Sequence, residues 1–473
     1  MVRIFHRNVS RLRIILFCFE SLLIFGILNL VNTARFLYRG GVFSLWVLDA
    51  REFLLKALTI LVVCQACMYF NELYDHRILR RRREMTIRLL QSFGIACILL
   101  SLIFFLFEPV RIGQITFSLS LPAIILCVFV WRELYSRVVQ SERFGARISE
   151  KVLVLGSSNT AKKIIQETIE MKDSGFDIAG VFVESGFGEM SEQEILPIRN
   201  VFPLEDFPDK VGSLEVDRIV VAMGDRRGRF PYETLLDCRF QGIQVEEGTT
   251  FYEALKGKIL LEGLRPSWFI FSEGFRQNKF TLNVKRASDL ALAALLLTLL
   301  SPVLLIVAML IKLDSRGPAI YKQDRVGQAW KEYTLYKFRS MVESAEANGA
   351  QYAVQGDPRI TRIGRLIRRY RIDELPQLFN VLMGHMSFVG PRPERRFFVK
   401  DLAKEIPYYS QRLFVKPGIT GWAQIKYHYG ASRDETIEKL QYDLYYIKHM
   451  SFFFDLTIIL DTVRVVVTGK GAR

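Results

Sequence analysis

The sequence predicts a multidomain membrane protein: a four-helix transmembrane bundle, an α/β middle domain, and a mainly helical C-terminal domain with a re-entrant membrane helix and a small β-hairpin. Three observations predict it. Half of the 473 residues are hydrophobic although 24% are charged, so apolar and charged residues must be segregated along the chain. The first third contains four long apolar stretches, and the following segment alternates short β-type and helical patterns. A net charge of +15 adds a basic partner surface to this picture, and the composition excludes a disordered chain, a collagen and a small disulfide scaffold.

The four stretches are Ile14–Val31, Phe53–Phe70, Leu89–Phe107 and Ile112–Trp131. Each is long enough to cross a hydrocarbon core of about 30 Å. The first contains Glu20 and the second Lys56. No small-x-small cleavage site follows Val31, which argues against a signal peptide. Basic residues stand before the first span (Arg3, Arg7, Arg11, Arg13), after the second (Arg80–Arg83) and after the fourth (Arg132, Arg137, Arg143). That bias predicts that both ends of the bundle lie in the cytoplasm. Five of the six cysteines fall inside the spans, so the Cys64-x-x-Cys67 pair reads as packing residues and no disulfide framework is expected.

From residue 149 the pattern is βαβ. Lys151–Leu155 reads as a buried parallel strand, Gly156-Ser-Ser-Asn-Thr-Ala161 as the turn into a helix, and Ile178–Val183 and Arg218–Ala222 as further strands. The segment 149–272 is therefore expected to be a Rossmann-like domain on the cytoplasmic side. A dinucleotide fingerprint needs a second glycine so that the backbone can approach the pyrophosphate, and Ser158 occupies that position. A structural or regulatory role fits this domain better than NAD binding. The Tyr252–Lys256 and Tyr333–Lys337 spacings imitate a dehydrogenase pair, but neither follows an intact glycine loop.

The third part, 273–473, opens on another apolar segment, Leu290–Ile311, with Lys285 and Arg286 before it and Lys312 and Arg316 after it. Basic residues on both flanks conflict with a simple crossing, and Ser301-Pro302 breaks the segment near its centre. A helix over about 288–313 that enters and returns to the same face satisfies both facts. A straight span with a mild kink is the alternative. Beyond it, Ala319–Gln323 and Tyr333–Phe338 read as a hairpin. Arg359, Arg362, Arg365, Arg368, Arg369 and Arg371 then form a basic run without an acid, which suits membrane phosphates, a diphosphate substrate or a solvated surface. Asp373-Glu374 follows at once. Two carboxylates beside a cationic helix suit phosphoryl transfer, one attacking phosphorus or holding Mg²⁺ and the arginines neutralising phosphate oxygens. Lys439–Met450 mixes aromatic and charged residues, which fits an interfacial amphipathic helix or a buried one.

Several motifs occur in order: Lys337-Phe-Arg-Ser-Met341, Asp357-Pro-Arg-Ile-Thr361, Asp373-Glu-Leu-Pro-Gln377, Ser387-Phe-Val-Gly-Pro-Arg-Pro393 and Lys416-Pro-Gly-Ile-Thr-Gly-Trp-Ala-Gln424. From about Val284 onward the chain resembles the bacterial sugar transferases, the polyprenyl-phosphate hexose-1-phosphate transferases. Its four spans and degenerate Rossmann-like domain resemble the large members that start exopolysaccharide or O-antigen units. The resemblance implies that Asp373 is the nucleophile on a UDP-sugar and the Mg²⁺ ligand, with Glu374 as its partner acid. It implies substrate contacts for Lys337, Arg339, Arg368, Arg392 and Gln424, and a helix break at Ser301 and Pro302. The expected partners are a UDP-hexose, a polyprenyl phosphate lipid and the bacterial inner membrane, with a homodimer open and no nucleic acid. Competing readings are a membrane-anchored NAD-dependent dehydratase or epimerase and a non-enzymatic membrane regulator.

Overall fold

The computed structural model describes residues 2–4, 7–9, 11–38, 43–71, 73–74, 82–140, 149–171, 175–184, 198, 200–224, 230–262, 264, 266–272, 274–275, 278–342, 357–427 and 432–468. The chain forms two compact units, one essentially Asn8–Glu247 and the other Gly248–Arg473.

The first unit contains four long helices: α1 (Arg11–Tyr38), α2 (Phe43–Phe70), α3 (Arg82–Leu106) and α4 (Gln114–Gln140). α1 packs against α2 and α4, and α3 packs against α2 and α4. Leu16, Ile24 and Leu28 of α1 meet Ile60, Cys64 and Met68 of α2 and Phe93 and Ala96 of α3 in a common core. Cys64 and Cys67 are buried free thiols. The outward residues are apolar too, among them Leu22, Leu30, Ile98 and Phe105. A helix apolar all round needs an apolar surrounding, and each of the four is long and apolar enough to cross a membrane.

Where α2 ends, the bundle holds a contact the sequence did not disclose. Glu20 and Arg132 are both 0% exposed and form a double ion pair, Nε–Oε1 at 2.7 Å and Nη2–Oε2 at 2.9 Å. Tyr74 donates to Glu20 at 2.7 Å and also meets Gln65, while Arg132 Nη1 donates to the Leu73 carbonyl at 2.7 Å.

The α/β part of this unit is a five-stranded parallel sheet of β1 (Glu150–Leu155), β2 (Phe176–Val183), β3 (Val201–Pro203), β4 (Arg218–Val221) and β5 (Gln244–Glu247). The order β3-β2-β1-β4-β5 reverses direction at β1, the arrangement of a doubly wound fold. α5 (Asn159–Glu170) buries Ala161, Ile164, Ile165 and Thr168 at helical spacing against the sheet. Gly156 sits at φ +114°, and a Cβ there would lie 2.6 Å from Ala222 O, so only glycine fits. Ser158 caps α5 and donates to Ala222 O at 2.6 Å, so its side chain occupies the crevice between β1 and β4.

The second unit begins with α7 (Gly248–Lys256), α6 being Tyr232–Phe240 in the first. The described residues between Gly248 and Ser272, grouped with the α/β segment by sequence, pack here. Glu253 pairs with Lys448 at 2.8 Å and with His449, Lys258 pairs with Glu438 at 2.6 Å, and the Trp422 indole donates to Gly257 O at 2.8 Å. After α8 (Pro266–Phe271) comes α9, a continuous 36-residue helix from Lys279 to Asp314 with Pro302 inside it. It is the fifth helix long and apolar enough to cross a membrane. Next come the antiparallel hairpin β6 (Ile320–Val326) and β7 (Glu332–Phe338), α10 (Arg362–Arg369), α11 (Gln377–Met383), β8 (Ser387–Val389), α12 (Arg396–Glu405), β9 (Gly418–Thr420), α13 (Trp422–Lys426), α14 (Arg433–Lys448) and α15 (Phe452–Thr468). α14 is a core helix rather than an interfacial one, because Leu440, Leu444, Tyr445, Tyr446 and Ile447 are buried.

Candidate active site

Local folding brings the carboxylate pair among cationic side chains. Thr361 caps α10, its Oγ1 accepting from Gly364 N at 2.9 Å. Gly364 is a matter of contact distance: a Cβ there would lie 2.0 Å from Ser340 O. The helix thus lies directly on the end of the hairpin, with Ile367 buried and Arg362, Arg365 and Arg369 exposed. Asp357-Pro-Arg-Ile-Thr361 braces this approach, since Asp357 holds Arg359 through bonds of 2.6–3.1 Å. Arg371 then adopts the left-handed region (φ +54°, ψ 22°), which turns the chain into a 3₁₀ turn at Ile372–Glu374. Such a conformation costs a non-glycine residue roughly 1–2 kcal/mol.

Glu374 is the buried, fully engaged member of the pair. Arg392 Nη2 lies 3.0 Å and Lys337 Nζ 3.4 Å from its Oε1, and Arg371 Nη1 lies 3.9 Å from Oε2. Burial, the largest single influence, works to raise its pKa, yet Arg392, Lys337 and Arg371 overcome it and hold the group at about 2. Asp373 has no hydrogen-bond or ion-pair partner among the described residues. Burial first, then the adjacent Glu374 charge, pushes its pKa up to about 6, opposed by Lys337, Arg368 and Arg392. One carboxylate is thus a fixed anion and the other a poised one.

The two later motifs are partners of one another. β8 and β9 run parallel with Ser387 opposite Gly418 and Val389 opposite Thr420. A Cβ on Gly390 would lie 2.4 Å from Lys416 O, and one on Gly418 would lie 2.1 Å from Gly390 N. Their glycines permit this backbone approach, and Pro391 follows with Arg392 aimed at Glu374. Arg412 Nη2 holds the Arg392 carbonyl at 2.9 Å and pairs with buried Asp443 at the same distance.

The predicted residues therefore separate. Asp373, Glu374, Lys337 and Arg392 meet in one place. Arg368 reaches the same field and is fixed by an Nε bond of 2.8 Å to Ser340 Oγ. Arg339 turns elsewhere, its Nη2 donating to Ser315 O at 2.7 Å at the end of α9. Gln424 donates weakly to Ile419 O at 3.5 Å. Ser301 and Pro302 lie within α9, Ser301 donating to Thr298 O at 2.9 Å. Arg371 stood in the sequence only as the last member of the basic run, two residues before Asp373, and Arg412 had no signal.

Among the described residues no three His, Cys, Asp or Glu side chains form a metal cluster. Mg²⁺ is commonly held by one or two carboxylates with substrate phosphates completing its shell. Asp373 fits that pattern, whereas the Glu374 oxygens face cations.

A long apolar helix, clustered cations and a carboxylate pair fit a membrane-associated enzyme. The comparisons agree. The profile of the family described as bacterial sugar transferase matches residues 277–469. The chain is 41% identical over 271 residues to the UDP-N-acetylgalactosamine-undecaprenyl-phosphate N-acetylgalactosaminephosphotransferase of Aeromonas hydrophila, covering 57% of this chain and 63% of that protein. It is 31% identical over 395 residues to the undecaprenyl-phosphate glucose phosphotransferase of Komagataeibacter xylinus, covering 78% of this chain and 72% of the relative. The exopolysaccharide production protein PSS of Rhizobium leguminosarum matches at 44% over 197 residues, 40% of this chain and 98% of that protein. The chain belongs to the bacterial sugar transferase family.

Proposed function

We propose that the protein transfers a hexose-1-phosphate from a UDP-sugar to undecaprenyl phosphate, releasing UMP and starting a surface polysaccharide. The observation that carries this reading is the division of labour at Asp373-Glu374, one acid neutralised by Arg392 and Lys337 and the other without a hydrogen-bond or ion-pair partner among the described residues. The names of the relatives support the same chemistry, since they are phosphotransferases acting on undecaprenyl phosphate.

An Asp373 oxygen attacks the β-phosphorus of the UDP-sugar. The bond from that phosphorus to the bridging oxygen breaks, and UMP departs with the oxygen. An oxygen of the lipid phosphate then attacks the same phosphorus and the Asp373–phosphorus bond breaks. The carboxylate is regenerated and the polyprenyl-diphosphate-sugar is released. Arg368 and Arg392 offset charge on the phosphoryl oxygens, and Glu374 fixes Arg392 for that task. Mg²⁺, held by Asp373 together with diphosphate oxygens, would add electrostatic neutralisation of the diphosphate.

A soluble diphosphate and a lipid phosphate meet only at a bilayer surface, and α9 supports such a location. Near its start Lys285 donates to Val389 O at 3.0 Å. At its end Asp314 accepts from Ile363 N at 3.2 Å. Both ends are thus tied to one compact unit while Leu299, Leu305 and Ile306 between them are exposed. On this reading the helix, continuous through Pro302, bends there rather than breaking, and it returns to the cytoplasmic face of the inner membrane with the site at that face. A cysteine in place of Lys470 should be labelled from the cytoplasmic side alone, and periplasmic labelling would refute the re-entrant reading.

The activity is tested by UMP release with UDP-glucose, UDP-galactose and their N-acetylated forms, with undecaprenyl phosphate and Mg²⁺. Without the lipid, one equivalent of UMP and a phosphosugar adduct on the peptide containing Asp373 are expected. Absence of UMP with every sugar, or an adduct elsewhere, would overturn the reading.

A further inference from the structure

Among the described residues β8 has a strand partner on one edge, β9. Toward β9 its ends are tied by Ser387 N to Pro417 O at 2.9 Å and Gly390 N to Thr420 O at 2.9 Å. On the other edge, Phe388 N–H and Val389 C=O are buried polar groups that need partners. Side chains of α9 and α14 supply them, and one of α15 backs two of these. Asp289 of α9 accepts from Phe388 N at 3.0 Å. Lys285, one turn earlier on α9, donates to Val389 O at 3.0 Å and pairs with Asp455 of α15 at 2.6 Å. Tyr446 of α14 shares its single proton between Val389 O at 3.0 Å and Asp455 Oδ1 at 2.8 Å. Burial pushes the Tyr446 hydroxyl well above its ordinary pKa, so it stays a donor.

Satisfying one carbonyl does not require a buried ion pair, whose desolvation commonly offsets its attraction. The place of this carbonyl gives the arrangement its meaning. Val389 is followed by Gly390, Pro391 and Arg392, and Arg392 is the residue that holds Glu374. Pro391 allows little φ freedom, so a shift of the Val389 peptide moves Arg392 with it. From the far side, Arg412 fixes the Arg392 carbonyl. The turn is therefore clamped at both ends, and one clamp is built on the first turns of the membrane helix.

We propose that Lys285, Tyr446 and Asp455 are positioning residues that align Arg392 with Glu374, so that the seating of α9 in the membrane sets the competence of the site. The proposal rests on the transferase reading given above for its catalytic consequence. Its geometric content, the fixing of residues 388–392, stands apart from the reaction.

The test uses the full-length protein in nanodiscs and the variant Tyr446→Phe, which leaves the Lys285–Asp455 pair in place. Amide exchange at Phe388, Val389, Gly390 and Arg392 should quicken by at least about tenfold, while the β6–β7 hairpin exchanges as before. UMP release should fall about tenfold in the otherwise native protein and less than about threefold in an Arg392→Ala background, because both changes act through one side chain. Asp455→Asn should follow the same pattern. Unchanged exchange at 388–392, or an increase spread evenly over the unit, would overturn the proposal. So would equal losses of activity in both backgrounds. If the native protein released no UMP, the transferase reading would fail while the exchange result still decided the alignment.

Discussion

Two acids in this chain, Glu20 fully buried and Asp373 half-buried, have opposite fates. Glu20, in the helical bundle, faces Arg132 through both oxygens and also accepts from Tyr74. Asp373 is held in a cationic field yet touches no partner among the described residues, because Glu374 has taken Arg392, Lys337 and Arg371. A closed set of contacts makes Glu20 a tie between helices. An open valence makes Asp373 available for chemistry. Burial alone therefore does not mark function; what distinguishes the two is whether the carboxylate's bonding capacity is used up.

The largest expected effect tests the open acid. Asp373→Asn should lower UMP release by at least about 10³-fold. Ionising a carboxyl whose pKa is raised to about 6 costs folding stability as pH rises through that value. The variant should therefore melt no lower than the native protein at pH 8. A clear loss of melting temperature would give Asp373 a structural role like that of Glu20. The converse applies in the bundle, where Arg132→Met should cost about 3 kcal/mol by stranding a buried carboxylate. Thermal unfolding in detergent measures this, and adding Glu20→Leu should recover most of the loss. UMP release per folded molecule should not change.

A third effect is graded. The rate of UMP formation should fall about tenfold per pH unit below about 6, as Asp373 takes up a proton. Glu374→Gln removes the neighbouring like charge and frees Arg392 and Lys337 to face Asp373. Both changes lower the Asp373 pKa, so the acid limb of the pH profile should move to lower pH. A limb that stays in place would show that the two acids are not coupled. The smallest effect is at Arg371, where Arg371→Gly relieves a left-handed φ and should stabilise by up to about 1 kcal/mol. Chemical denaturation would detect it, and UMP release should decline because one cation near Glu374 is lost.

Legibility from sequence followed the range of each interaction. Runs of apolar residues announced the long helices, since length and hydropathy are local properties. Alternating β and α patterns likewise announced the parallel sheet. The Glu20–Arg132 tie joins residues 112 apart in sequence, and no pattern marks it. At the site, the basic run and the adjacent acids were visible, whereas the assignment of cations to Glu374 was not. Lys337 and Arg339 share a motif, yet β7 ends at Phe338 and the chain past it turns Arg339 toward α9. Aromatic residues of α14 suggested an interface. Inside the fold their polar ends find partners, as Tyr446 does with Val389 and Asp455.

The bond from the Trp422 indole to Gly257 O bears on how the chain is to be dissected. The family profile begins at residue 277, twenty residues after that carbonyl. A fragment started there would leave the indole N–H without its acceptor, along with Lys448 and His449 without Glu253. The serviceable cut lies after Glu247, where one compact unit ends and the next begins.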